Sequence, residues 1–584
     1  MRRKKKTERI AELLPLILLA AVLPFVVHLK IVETGLADYP WFPDLTSQGD
    51  FFAWWRTRML MILAGWMLVN LGIRIVVRKK YPKGWKSWIW LGIYLVLAFV
   101  SAAVSDNRSF AVNGMIENYE GIWTLVSYGI AAFYAGQVLE NGEDVRTVFW
   151  ALAFGAAIQG ILGIGQILGY DFWNSSAGQA LLTAGTGLEG QTLSYQFAES
   201  KVNPVYMSFY NPNYAVVYIL LMLPILFCLA ADAKEKWKKG ICAGIGALLL
   251  ICLVGTGSKA AIVTIPVMLI AGVLLCVKGK KSWMIAGASG VLLLTAGAGY
   301  LWKNPVSRLT YSLQDIQVEE DAIELTLPDG KIRVNAEAQG KDAALIIARE
   351  EDGTKIALIA QEEENCYRLD RDGTKNLVWE AYQQQGLIYL ILHYKEEPFY
   401  FVKDAAHGFT YVTIYGKADT IETADACGME GYERLFGERM YIWSRCVGLL
   451  KNNLLLGSGP DTFALVFPQN DYLAKVNTNR KVYEEILTKP HSLYLQMGVQ
   501  TGVLSLAVTL VFWLAYLWNS WRIYRNRKMD AFEAKAGCAA AIAVLGYLIL
   551  GLANDSMSVT APFFWCLLGV GMALNRMNQM AEKN

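Results

Sequence analysis

The chain has 584 residues, 54% of them hydrophobic and only 18% charged, with 19 tryptophans. That is too apolar for a soluble protein of this length and describes a polytopic membrane protein. A net charge of +3 is too small to suggest nucleic acid, so the placement of the lysines and arginines carries more than their sum.

Met1 to Arg9 contains the run RRKKK and leads into the apolar stretch Leu13 to Leu29. No small-residue cleavage site follows, which reads as a retained first span with its N-terminus in the cytoplasm. Further runs of the length a bilayer core demands lie near 59–77, 88–104, 121–139, 147–168, 212–231, 240–255, 260–277 and 283–302, then near 492–518, 536–553 and 560–575. The expectation is a mainly α membrane protein of about twelve transmembrane helices. Arg78 to Lys80, Lys234 to Lys239, Lys278 to Lys281 and Arg522 to Lys528 all fall on the cytoplasmic side if the first span runs outward. The loops at 30–50, 105–120, 169–210 and 303–490 then lie outside, as do short breaks at Gly255 to Lys259 and Asn554 to Ser558. The chain divides accordingly into a membrane domain at 1–302, an extracytoplasmic β-rich insertion at 303–430, an extracytoplasmic helical loop at 431–491 and a second membrane part at 492–584.

The long outer loop cannot be a structureless connection. Between about 310 and 425 it reads as short strands, punctuated by Asp329-Gly330, Asp352-Gly353 and Asp372-Gly373, a strong hairpin signal. A small antiparallel β domain is expected. Its tyrosines, Tyr389, Tyr394, Tyr400, Tyr411 and Tyr415, suit a sugar-binding face, although core and cross-strand packing is the favoured reading. Seven of the nine cysteines lie in or beside apolar runs, and none has metal-ligand spacing. Cys366 and Cys427 are the two placed to pair outside the cytoplasm.

Three stretches could carry chemistry. In GERMYIWSRCVGLLKNNLLLGSGPDTF (437–463), Arg439 and Trp443 are four apart and share a helix face. A guanidinium beside an aromatic at a membrane surface suits a lipid diphosphate; an interfacial anchor is the equal alternative. In GTGSKAA (255–261), Lys259 interrupts an apolar region without the order of a phosphate-binding loop. In KPHSLYLQMGVQTGVLSL (489–506), His491 stands at the mouth of a long apolar run, where it reads as a general base or as a helix start.

Together with YNPNYAVVYILLMLPI (210–225) and NDSMSVTAPFFWCLLGVG (554–571), these stretches resemble the O-antigen ligase and polymerase family of bacterial membrane glycosyltransferases. The resemblance implies transfer of a glycan from a polyprenyl-diphosphate-linked donor to an acceptor hydroxyl on a glycan, lipid or protein, at the outer face of the cytoplasmic (inner) membrane, in cell-surface polysaccharide assembly. It places the family's catalytic histidine on His491 and a donor-binding arginine on Arg439. The family usually has arginine where this chain has Lys259, and its outer loops are shorter and more helical. Arg434, Arg445 and Trp443 are supporting candidates. Neither a metal nor any other cofactor is implied. The competing class is a non-catalytic transporter or flippase of lipid-linked glycan, although no internal repeat between the halves supports it.

Overall fold

The computed structural model describes residues 2–191, 193, 205–277, 279–303, 308–361 and 365–583. Helices stand at all twelve places where a span is expected. α1 (Arg2–Ala21) and α2 (Trp54–Val76) flank a ribbon of β1 (Lys30–Glu33) and β2 (Ser47–Asp50). Next come α3 (Ile89–Val104), short α4 (Arg108–Asn113), α5 (Ile122–Val138), α6 (Gly142–Ile167) and short α7 (Ser176–Thr183). α8 (Pro212–Asp232), α9 (Lys236–Gly255), α10 (Lys259–Cys276) and α11 (Lys280–Lys303) complete the first half. After the strands follow α12 (Arg439–Asn452), short α13 (Phe463–Val466) and α14 (Tyr472–Asn477), then α15 (Leu493–Thr501), α16 (Val503–Arg525), α17 (Phe532–Leu550) and α18 (Ala561–Lys583).

Among the described residues, eight helices are long and apolar enough to cross a membrane: α2, α3 with the turn before it, α6, α8, α9, α10, α16 and α17. α5 has 17 residues, and α1 begins in the basic run. The sequence predicts one span over 492–518, and there the structure differs. Gly502, at φ 100°, separates α15 from α16. A Cβ there would come within 2.6 Å of the Leu455 carbonyl oxygen, so the chain turns at a position that only glycine accommodates. α15 packs back against α16 and α12.

The β-rich region holds two antiparallel meanders. One contains β3 (Asp315–Val318), β4 (Ile323–Leu327), β5 (Gly330–Ala338), β6 (Ala344–Glu350) and β7 (Lys355–Ile356). The other runs through β8 (Leu358–Ala360), β9 (Cys366–Leu369), β10 (Leu377–Gln384), β11 (Leu387–Tyr394), β12 (Glu397–Asp404), β13 (Gly408–Val412) and β14 (Ala418–Asp419). All three Asp-Gly pairs fall at turns joining consecutive strands, Gly330 opening β5 itself, and each glycine is at positive φ. The sheets share one apolar core that includes Trp379, Tyr394, Phe401 and Tyr411, with Tyr472 and Leu473 of α14. Tyr394 and Tyr411 are therefore core residues, and Tyr415 packs on Tyr483. Tyr389 and Tyr400 remain half-exposed on the outer face, where Tyr389 stacks on Tyr382. Cys366 is buried in β9, whereas Cys427 lies near Asp425; the two are not bridged.

Hydrogen bonds gather the connecting segments at one end of the bundle. Leu29 N donates to Leu182 O at 2.9 Å, and Ser105 Oγ to Ser458 O at 2.5 Å. Buried Asp461 accepts from Met115 N at 2.6 Å, Glu120 N at 3.0 Å and Asn118 Nδ2 at 3.0 Å. The 105–120 loop is thereby fastened to the turn before α13, next to the segment that carries His491.

Candidate functional site

Pro490 and Ser492 bracket His491, which adopts φ 52°, a left-handed conformation costly for a residue with a Cβ. Both sides of the turn are pinned. On one, Trp443 Nε1 donates to Pro490 O at 3.0 Å. On the other, Ser492 N donates to Asp555 Oδ1 at 3.1 Å, and Leu493 N is shared by the carbonyls of Gly551 and Asn554. The second carboxylate oxygen of Asp555 lies 3.1 Å from His491 Nδ1. A carboxylate can only accept, so Nδ1 is the donor in this contact, and in the neutral imidazole the lone pair then lies on Nε2. The Asp555 side chain is 1% exposed and the His491 side chain 42%. The arrangement is a buried carboxylate orienting an accessible imidazole.

Arg439 opens α12 and lies half-buried, with no hydrogen bond or ion pair to any described residue. Burial pulls its pKa below the usual arginine value, while the charge of Asp555 opposes that fall. Arg439 and the N-terminus of α12 both favour an anion. Trp443, one turn on, stacks on Phe436 with ring centroids 5.6 Å apart. Its indole N–H is used on Pro490, so its contacts are with the His491 turn.

The other predicted cations divide. Lys259 is exposed at the start of α10, without a hydrogen bond or ion pair to any described residue. α10 packs antiparallel to α17: Met268 lies on Gly546, Ile542 on Gly272, and Cys276 beside Cys538. This antiparallel packing puts the N-terminus of α10, with Lys259, at the same end of the bundle as the C-terminus of α17. Arg445 goes elsewhere. Its Nε donates to Asp471 at 3.0 Å, its Nη1 lies 3.6 Å from Glu433, and the guanidinium covers Tyr441. It is a buried structural cation. Arg434 is exposed, its charge felt by Tyr311 and Lys395 at the edge of the β region. The structure does not bring Arg434 or Arg445 to the His491–Asp555 pair.

Sequence reasoning did not select Asp555, although an acid in the last break between two apolar runs is a signal. Nor did it select Lys489, which is buried, with Nζ 3.1 Å from Tyr214 Oη. Tyr214 sits in the first turn of α8, where Asn211 caps Asn213 N, and lies within the field of Asp555. Below the site, Glu120 accepts from Tyr128 Oη at 2.7 Å, Ser556 Oγ at 2.7 Å and Gln496 Nε2 at 3.0 Å. Burial pushes the carboxyl groups of Glu120 and Asp461 up to about 7. Among the described residues, no three His, Cys, Asp or Glu side chains gather as metal ligands would.

Residues 386–510 match the family described as O-antigen ligase. No curated protein and no solved structure matches the chain. The matched stretch runs from the turn before β11 into α16, taking in Arg439, Trp443 and His491 and ending before Asp555.

Proposed function

We propose, from the premise that this chain carries an O-antigen ligase family domain at residues 386–510, that it transfers a glycan from a polyprenyl-diphosphate-linked donor to an acceptor hydroxyl at the outer face of the cytoplasmic membrane. The observation that carries this reading is the accessible His491 imidazole held by buried Asp555, with Arg439, unpaired among the described residues, close enough for Asp555 to act on its charge.

His491 Nε2 takes the proton of the acceptor hydroxyl as its oxygen bonds to the anomeric carbon. The bond from that carbon to the diphosphate oxygen breaks, and the diphosphate leaves with the electron pair. Asp555 stabilises the imidazolium so formed, as the third member of a catalytic triad does. Arg439 and the α12 N-terminus meet the charge that grows on the leaving diphosphate. Lys259, at the same end of the bundle, adds a second positive charge but lacks the bidentate fork of arginine. The leaving group is already activated, so this chemistry asks for no metal, and a chelator is expected to leave the rate unchanged.

The decisive experiment uses purified protein in detergent with lipid-linked glycan from cells lacking the gene. Transfer in detergent separates an enzyme from a flippase, which has no compartment to work across. His491→Ala is expected to remain folded and lose at least about 10²-fold in rate. Full activity in that variant would overturn the assignment.

A further inference from the structure

α12 has a second working face. Arg445 and Gly448 lie on the side of the helix opposite Arg439 and Trp443, and with Leu449 they floor an open groove of about 460 Å³. That volume is in the range of small-ligand clefts. One wall is the indole of Trp41, from the loop between β1 and β2. Asp419, Glu422 and Asp425, from β14 and the segment after it, lie around the rest, together with Asn470 from the loop before α14.

The walls are built in place. Lys417, next to β14, donates to the carbonyls of Ala37, Tyr39 and Phe42 and pairs with Asp44 at 2.7 Å. The Trp41 loop is thus tied to the seven-stranded sheet. Glu422 N donates to Asn470 O at 3.1 Å, and Asn470 Nδ2 to Thr420 Oγ1 at 3.3 Å. The floor is fixed by Arg445 on Asp471 and Glu433.

The lining selects the ligand class. A flat indole takes up the apolar C–H face of a sugar ring, and planar carboxylates and an amide take its hydroxyls. Three carboxylates outnumber the cations near them, since Arg445 is already balanced by two acids and exposed Lys451 is the other cation whose charge reaches Asp425, so the lining disfavours a diphosphate. We propose that this groove binds a saccharide segment, uncharged or amino-bearing, of the glycan handled at His491. It lies roughly one helix diameter, about 10–12 Å, from that residue across α12. The proposal rests on the transfer reading for the identity of the glycan, while binding itself is tested without turnover.

The probe is glycan released by mild acid from the lipid-linked pool of cells lacking the gene, with inorganic pyrophosphate as the anionic control. Full-length His491→Ala protein, which does not consume the probe, is expected to bind the glycan. Adding Trp41→Ala, or the exposed change Glu422→Gln, weakens that binding about tenfold or more and leaves pyrophosphate binding unaltered. In the active protein the same two changes raise KM and spare kcat. The rise appears in the KM of the lipid-linked donor if the groove holds the donor glycan, and in the KM of the acceptor if it holds the acceptor. Glycan binding unaffected by both changes, or no glycan binding by a protein that still catalyses transfer, overturns the groove. Trp41-dependent binding in a protein with no transfer activity would instead leave the groove standing and remove the transfer reading.

Discussion

The two ends of the helical bundle handle charge in opposite ways. At the end away from the sheets, the Glu12 carboxylate is surrounded by Arg9, Arg74 and Arg78, Asp144 takes Arg9, and Glu140 takes Arg74 and Lys80. Arg146 and Lys535 share Asp232. These pairs join α1, α2, α6, α8 and α17 and answer the partly buried charges there, while lysines such as Lys79, Lys234 and Lys236 stay exposed. At the loop end, Arg439 and Lys259 have no ion pair among the described residues, and the outer edge of His491 is open. Holding a partly desolvated cation without a partner costs stability. The cost is intelligible where an anion from outside completes the pair, as a donor diphosphate would.

The sharpest way to break this comparison is to exchange an acid at each end. Asp555→Asn is expected to lower kcat by about 10²-fold or more, because an amide can present its N–H to Nδ1 and turn the imidazole into the wrong tautomer. Donor KM and melting temperature should change little. Glu12→Gln should do the reverse, destabilising by roughly 1.5–3 kcal/mol as Arg9, Arg74 and Arg78 lose the carboxylate they share while Arg74 keeps Glu140, with unchanged turnover per folded molecule. Thermal melting beside single-turnover kinetics separates the two. Equal effects on both readouts would mean that Asp555 is structural.

Arg439→Ala comes next in size. Losing a charged contact worth about 1.5–3 kcal/mol should raise donor KM roughly 10- to 100-fold, with Arg439→Lys in between because lysine keeps the charge and loses the fork. Unchanged donor affinity in both variants would return Arg439 to a membrane anchor.

Much of the architecture is legible because it is written in local pattern. Apolar runs place the helices and Asp-Gly pairs the hairpins. The break at Gly502 is missed because apolar residues continue across it and only its backbone turn, pressed on Leu455, shows that glycine is required. At the candidate site, His491 and Arg439 are singled out by motifs, whereas Asp555 meets His491 by a pairing across 64 residues that no local pattern encodes. Arg439 and Arg445 look alike in sequence, but six residues turn a helix by about 240°. That rotation sends one toward the field of Asp555 and the other into the Glu433–Asp471 network.

Trp443 offers the smallest and most discriminating test. Its sequence position fits an interfacial anchor as well as a site residue, and its geometry ties it to Pro490 O at 3.0 Å. Trp443→Phe keeps an aromatic against Phe436 and removes only the donor. A neutral hydrogen bond is worth about 1 kcal/mol, so kcat should fall about fivefold as the turn at His491 relaxes from its left-handed backbone, with donor KM unchanged. Amide exchange at residues 491–493 should rise in the same variant. An anchor would show the opposite: unaltered kcat and exchange, because phenylalanine still sits at the membrane surface. The two readouts together decide whether the loop end is a rigid frame around His491 or a set of separately mobile side chains.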